Sequence, residues 1–239
     1  MTITVVSLFD ESGNMGRPWA ARGAMVHCFD IQNKDKKDRV EFVGEGMIFY
    51  HDHDLMNTSN LLRIRDALDP DIIFGFPPCT DLAVSGAAHF ERKRQKNPHF
   101  QQEAVKLARQ VELLGKLTGA PWFAENPVSV LATLWRKPDH SFQPYEYGGY
   151  LPENDVHPRW PDYIAPRDKY RKKTCLWTGN GFIMPKAKSV GDPGQDSAQH
   201  SKLGGKSAKT KQIRSETPRG FALAVMEANY DAAAKRNAA

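Results

Sequence analysis

A cysteine directly behind two prolines, Pro77-Pro78-Cys79-Thr80, closes the apolar run Asp71–Phe76 (DIIFGF). So continuous an apolar run reads as a central parallel strand. Two prolines after it force an extended, rigid exit, which puts Cys79 at the carboxyl end of the strand, where a thiolate can attack a substrate. A second apolar run, Pro121–Ala124, stops at Glu125-Asn126-Pro127. As neighbours in a sheet, the two strands would set Cys79 and Glu125 on either side of one pocket, a nucleophile beside a carboxyl group able to hold or share a proton. Without Cys79, Glu125 would read as a surface turn acid. Cys28 and Cys175 lie in the apolar stretches MVHCF and TCLW and read as core. Three scattered cysteines make neither a disulfide framework nor a zinc site, and fit a reducing, cytoplasmic setting.

Those residues need a scaffold, and the pattern of runs supplies one. Thr2–Phe9 reads as a strand ending in the turn-rich Asp10-Glu11-Ser12-Gly13-Asn14, and Pro18 suits the start of a helix. Ala24–Phe29 and Gly46–Tyr50 are further strands, closed by Asp30 and by His51-Asp52-His53-Asp54. Leu61–Leu68 is a short helix, and His99–Leu117 a longer one with Val105, Leu107, Val111 and Leu114 at helical spacing before Gly119. Thr174–Thr178 is a strand, Ser189–Gln212 a long loop poor in apolar residues, and Pro218–Tyr230 a closing helix. Alternating strands and helices predict an α/β fold with a doubly wound, mostly parallel sheet and helices on both faces. Ligands in such sheets bind at the carboxyl ends of the strands, where every polar cluster named above falls. The 239 residues suit one domain, 1–239, with 179–214 as a basic loop. No internal repeat is evident.

The loop after the first strand lacks a GxGxxG pattern, although Gly13 lets backbone approach a ligand closely. Asp30 stands where an acid accepts from ribose hydroxyls, and Asp54 could accept from an exocyclic adenine amine. His51 and His53 would face one side of a strand and could share a metal, but no third ligand is evident nearby and no metal is expected. Net charge is +5, unevenly spread: Arg159–Arg219 holds 14 Lys/Arg against five Asp/Glu, +9, leaving −4 for the rest. A basic segment on a near-neutral body suits a polyanion; a solvated surface is the plainer account. No run of 18 apolar residues crosses a membrane, and the opening MTITVVSLFDESG has no basic region before an apolar core, so no signal peptide is expected.

In this order the motifs resemble those of the cytosine-5 DNA methyltransferases, in particular the short forms of phages and prophages. Ser7-Leu8-Phe9 with Gly13 is similar to the family's first cofactor loop, Asp30 and Asp54 to its acidic cofactor contacts, and Pro77-Pro78-Cys79 through Gly86 to its nucleophile motif and trailing loop. Glu125-Asn126 matches its Glu-Asn pair, and Ser215–Ala222 loosely resembles its last cofactor-contacting motif. The resemblance implies a Rossmann-like class I methyltransferase fold, S-adenosylmethionine as cofactor and DNA, double- or single-stranded, as partner. It implies Cys79, Glu125 and Lys172 as catalytic residues. Phe9, Gly13, Asn14, Asp30, Asp54, Pro77 and Ser215 are then cofactor contacts, and Pro78, Thr80, Ser85, Gly86, Arg92, Arg94, Asn126 and Lys173 substrate contacts. Arg92, Lys93, Arg94 and Lys96 would hold phosphates while the nucleophile loop closes.

Four features depart from the family. Asp10-Glu11-Ser12 stands where small residues are expected, and Pro127 where valine is usual. Arg171-Lys172-Lys173-Thr174 takes the place of a Gln-x-Arg-x-Arg motif, with Lys172 as the positive charge near the base. Only Gly179–Arg214 is available where a sizeable target-recognition domain is normal, so low or short sequence specificity and steep salt dependence are expected. Two other readings stay open: another pyrimidine carbon-5 modification, with a different one-carbon donor or a free nucleotide, and a non-catalytic nucleic-acid-binding decoy.

Overall fold

A computed structural model describes residues 2–36, 39–195, 197–204 and 207–238. Asp196 and Lys206, counted above in the basic segment, lie outside them. The chain forms two compact units, one of residues 1–141, 174–182 and 229–239 and one of residues 142–173 and 183–228.

The elements of the first unit begin with β1 (Thr4–Leu8), α1 (Arg17–Ala21), β2 (Met25–Phe29), β3 (Val40–Val43), β4 (Gly46–His51), α2 (Thr58–Leu68) and β5 (Ile72–Gly75). There follow α3 (Phe90–Lys96), α4 (Phe100–Thr118), β6 (Trp122–Pro127), α5 (Leu131–Leu134) and β7 (His140–Phe142), at whose end the chain passes into the second unit, and then β8 (Thr174–Gly179). The strands form one sheet in the order β3-β4-β2-β1-β5-β6-β8-β7. The five from β4 to β6 run parallel, β3 is antiparallel to β4, and β8 is antiparallel to β6. This is a Rossmann-like, doubly wound α/β fold. The strand order turns about β1, whose neighbours are β2 and β5, and such a switch point opens a crevice at the strands' carboxyl ends.

Helices cover both faces of the sheet. On one, Val6, Leu8, Ile73, Trp122 and Ala124 pack with Leu61 and Ile64 of α2 and with Ala104, Val105, Ala108, Val111 and Leu114 of α4. The α4 set recurs at helical spacing, and the helix ends at Gly119, whose φ of 73° is the left-handed cap that glycine adopts without strain. On the other face Trp19 of α1 lies 5.9 Å from Phe74 and 6.0 Å from Tyr230. Each large side chain so buried contributes about 1.5–3 kcal/mol.

Four expectations need correction. The strand β3 was not foreseen: it is a four-residue edge strand whose Phe42 is 79% exposed, so burial imposes no readable alternation. The helix α3 (FERKRQK) buries no residue and so carries no apolar period. Glu125-Asn126-Pro127 does not follow a strand but belongs to one. Pairing of Glu125 with Leu176, Asn126 with Cys175 and Pro127 with Thr174 carries β6 past the end of its parallel neighbour β5. Ser189–Gln212, expected as a loop, contains α6 (Ala198–Lys202) and most of α7 (Ala208–Ser215). Ser197 and Ser207 are N-caps, accepting from the N–H groups of Gln199 at 3.2 Å and Thr210 at 3.1 Å.

In the second unit Leu203 and Ile213 pack with Ile164 and Tyr170, and Phe142 stacks on Phe221 with ring centroids 4.0 Å apart. The last helix, α8 (Arg219–Asn237), opens here and ends in the first unit. Its first residue donates to both oxygens of the buried Asp155, at 2.8 and 2.7 Å. Asp168 accepts from the Gly220 N–H at 2.8 Å, and burial raises its carboxyl to about 6.

The last residue of β5 is a glycine because α4 crosses it closely: a Cβ on Gly75 would lie 2.2 Å from Cγ2 of Val111. Gly75→Ala should therefore cost about 1–3 kcal/mol, and adding Val111→Ala should recover part of it. Urea unfolding of the single and double variants measures this, and equal stability of Gly75→Ala and wild type would refute the close packing.

Candidate active site

The ladder of β5 continues one residue beyond the strand, with the Phe76 N–H donating to the Leu8 carbonyl at 3.0 Å. Pro77 is buried, and Pro78, Cys79 and Thr80 are exposed. Four attachments hold this loop. Nδ2 of Asn126 donates to the Pro77 carbonyl at 2.9 Å. The Cys79 carbonyl accepts from the N–H groups of Leu82 and Ala83 at 3.0 and 2.8 Å, which folds the chain back. The returning segment then pairs with the chain after β6, Val84 N–H to Val128 carbonyl at 3.1 Å and Val130 N–H to Leu82 carbonyl at 2.9 Å. From the helix side, Nζ of Lys93 donates to the Thr80 carbonyl at 2.9 Å and to Oδ1 of Asp81 at 2.6 Å.

Cys79, in no disulfide and exposed, thus stands beyond the carboxyl end of β5, while Cys28 and Cys175 are buried. Glu125, half-buried, sits one residue past Ala124, which pairs with Gly75. Adjacent strands lie about 4.8 Å apart, so the structure brings the Pro-Pro-Cys and Glu-Asn segments together at neighbouring strand ends and ties them through Asn126. Ser85 and Gly86 fall in a turn of 3-10 helix, Val84–His89. Arg92 is exposed; Arg94 pairs with Glu91 at 2.7 Å, and Lys93 with Asp81.

At the end of β1 the organising group is one that sequence reasoning missed. Asp10, 4% exposed, accepts from Oγ of Ser7 at 2.8 Å, from the N–H and Oγ of Ser12 at 2.8 and 2.9 Å, and from the Gly13 N–H at 2.7 Å. Its signal was present as an acid two and three residues ahead of Ser12-Gly13, the spacing of an Asx turn. Phe9 has φ of 57° and Gly13 φ of 70°, and the Asn14 N–H donates to Oγ of Ser12 at 3.1 Å. Asn33 was also missed. Its fully buried amide reaches the carbonyls of Asp10, Cys28 and His51 at 3.3–3.5 Å and clamps three strand ends.

Asp30 follows β2. Burial raises its pKa, and Gln32 donates to Oδ1 from its N–H at 2.8 Å and from Nε2 at 3.5 Å. Among the described residues no donor is recorded at Oδ2, so this acid fits a ligand with hydroxyl donors, as a ribose has. Asp54 is exposed and turns the chain locally, its Oδ1 accepting from the Met56 N–H at 2.9 Å. Nε2 of His51 lies 3.0 Å from Nδ1 of His27, whereas the His53 ring is 6.2 Å away between centroids. Burial, then His51, lowers His27 to about 4. Among the described residues no group of three or more His, Cys, Asp or Glu has metal-holding geometry, and no helix is long and apolar enough to cross a membrane.

Lys172, Lys173 and Ser215 belong to the second unit. Lys172 donates from its N–H to Oε1 of Gln143 at 2.8 Å and from Nζ to the Glu216 carbonyl at 3.3 Å. Lys173 is exposed, and Ser215 ends α7 with its Oγ donating to the Gln212 carbonyl at 3.1 Å.

No family model and no curated protein matches the chain. Among solved structures it is similar to a candidate DNA modification methyltransferase encoded within an E. coli prophage, at 14% identity and a TM-score of 0.40. The match covers 74% of this chain and 46% of that one, so the chain spans less than half of that protein's length.

Removing the Asp10 carboxylate leaves buried donors of the first loop without an acceptor. Asp10→Ala should lose about 1–3 kcal/mol of stability, and Asp10→Asn less, since it keeps one acceptor oxygen. Urea titration of both variants tests the point; an Asp10→Ala midpoint equal to wild type would show that the loop stands without this hub.

Proposed function

We propose that the chain is an S-adenosylmethionine-dependent methyltransferase acting on carbon 5 of cytosine in DNA, with Cys79 as covalent nucleophile. What carries the reading is the bond from Asn126 to the Pro77 carbonyl, which fixes an exposed thiol loop against the strand that bears Glu125. Cytosine carbon 5 is a poor nucleophile until carbon 6 is occupied. Addition of the Cys79 thiolate to carbon 6 pushes an electron pair towards carbon 5, and a proton from Glu125 at ring nitrogen 3 offsets the charge that develops. When bound, S-adenosylmethionine supplies an electrophilic methyl group. Once carbon 5 has taken that methyl group, loss of the carbon-5 proton to solvent, cleavage of the carbon 6–sulfur bond and return of the nitrogen-3 proton to Glu125 would restore the ring and return Cys79 as thiolate. The target base must leave the stack to reach the thiol.

Phe9, Gly13, Asn14 and Asp30, from loops at the switch point, would hold the nucleoside end of the cofactor, with Asp30 on the ribose hydroxyls, Asp54 on the adenine amine and Pro77 and Ser215 as further contacts. Lys172 would supply positive charge near the base. Thr80 and the exposed Arg92 would meet the target strand, whereas Asn126, expected as a substrate contact, is 1% exposed with its amide on the Pro77 carbonyl and acts by holding the loop.

DNA containing 5-fluorocytosine tests the chemistry, because fluorine at carbon 5 blocks the final elimination. With S-adenosylmethionine present, wild type should form a denaturation-stable adduct mapping to Cys79, and Cys79→Ser should form none. An adduct elsewhere, or none with any duplex or single strand, would overturn the assignment. The grip on DNA has its own readout. Lys209 and Lys211 on α7 are exposed and enter no ion pair among the described residues. Replacing both with Ala should flatten the slope of log K against log salt by about 0.9 for each phosphate no longer neutralised, as fluorescence anisotropy would record. An unchanged slope would take α7 out of the interface.

A further inference from the structure

We infer that Lys93 is a positioning residue for the nucleophile, strapping the apex of the Cys79 loop through the Thr80 carbonyl and the Asp81 carboxylate; this rests on the functional reading above. The loop has three mounts. Its near end is fixed by Asn126 at the Pro77 carbonyl. Its far end is fixed by backbone bonds between Leu82–Val84 and Val128–Val130. Between them lie Pro78, Cys79 and Thr80, all exposed, where the Cys79 carbonyl accepts from Leu82 and Ala83 and the Thr80 carbonyl is left to a side chain. A cation from α3 reaches this stretch: Nζ of Lys93 lies 2.9 Å from the Thr80 carbonyl oxygen and 2.6 Å from Oδ1 of Asp81. Nε2 of Gln101, on α4, adds a longer bond of 3.4 Å to the Asp81 carbonyl.

The strap is also an electrostatic device. Asp81, two residues from Cys79 along the chain, brings a negative charge into the loop of a thiol that reacts only after losing its proton, with Glu125 on β6 and the exposed Arg92 on α3 as the charged groups of the neighbouring elements; an anion in the loop holds that proton on. The ammonium of Lys93 cancels it. Lys93→Ala therefore leaves Asp81 uncompensated and disfavours the thiolate, whereas Asp81→Asn leaves Lys93 uncompensated and favours it. A strap that merely supported the fold would shift the thiol in the same direction when either partner was removed.

The test is the rate of Cys79 alkylation by iodoacetamide against pH, followed by mass spectrometry on the full-length protein without DNA or methyl donor. Lys93→Ala should move the midpoint up by about 0.5 pH unit, Asp81→Asn should move it down by a similar amount, and Lys93→Arg should restore the wild-type curve. In turnover, Lys93→Ala should lower kcat about tenfold with KM nearly unchanged. Coincident curves for wild type, Lys93→Ala and Asp81→Asn, or shifts of one sign, would overturn the inference even where 5-fluorocytosine trapping succeeds. Failure of wild-type trapping would instead strike the methyltransferase reading, while the alkylation curves still report Lys93's hold on the thiol.

Discussion

A proline ending a buried strand leaves a carbonyl with no regular partner, and the Pro77 carbonyl is buried where water does not compensate it. The Asn126 amide accepts that duty at 2.9 Å. It reaches Pro77 only because β6 runs on as strand where β5 has stopped, and β6 runs on only because antiparallel β8 pairs with it through Pro127. The position of the thiol loop thus depends on a strand two places away in the sheet. Glu125 inherits the same order: as a residue inside a paired strand its backbone is fixed on the β8 side.

The loop after β1 reaches a comparable result by another route. A glycine-rich turn lets backbone amides converge by removing side chains. Here Asp10 draws them together by offering one buried carboxylate to Ser7, Ser12 and Gly13. Glycine is kept only at Gly13, where φ is 70° and an added Cβ would lie 2.8 Å from the Tyr50 hydroxyl. The departure of Asp10-Glu11-Ser12 from small residues is thus a substitution of a hydrogen-bonded turn for a sterically permissive one, with the strand end still free to face a ligand.

The parts of the fold that the sequence disclosed are those in which burial forces a period. The strands β1, β2, β4 and β5 and the helix α4 lie against the core, and their apolar residues mark them. What escaped notice was surface structure. The edge strand β3 and the helix α3 bury little, while α6 and α7 are short helices whose serines do capping work that in a linear reading looks like loop composition. The same limit governs the site. Cys79, Glu125 and Asn126 were visible because residue type and strand ends coincide. Asn33 and Lys93 act by reaching groups distant along the chain, which no residue type announces; Asp10 gathers Ser7, Ser12 and Gly13 from within three residues, a local turn signal that its place in a polar cluster obscured.

Charge placement separates the two units in kind. In the first, cations tend to be met by acids: Arg17 by Glu41, Lys93 by Asp81, Arg94 by Glu91, Lys116 by Glu112 and Arg136 by Asp139. Such exposed pairs contribute little to stability, but they leave a surface near neutrality with its side chains committed to one another. From Ser197 to Ser215 the sequence has five Lys/Arg and no acid, and the helix α7 uses its only buried residues, Thr210 and Ile213, to hold itself in place. Among the described residues no acid meets the cations of α7; Lys209 lies over the Tyr163 ring at 5.1 Å and Arg214 donates to the Leu203 carbonyl at 2.9 Å, contacts that leave the positive charge of the helix in place. The loop of Cys79 bears on the opposite case: Lys93, the cation that reaches its backbone, is met by Asp81 at 2.6 Å, so that ammonium is committed within the loop.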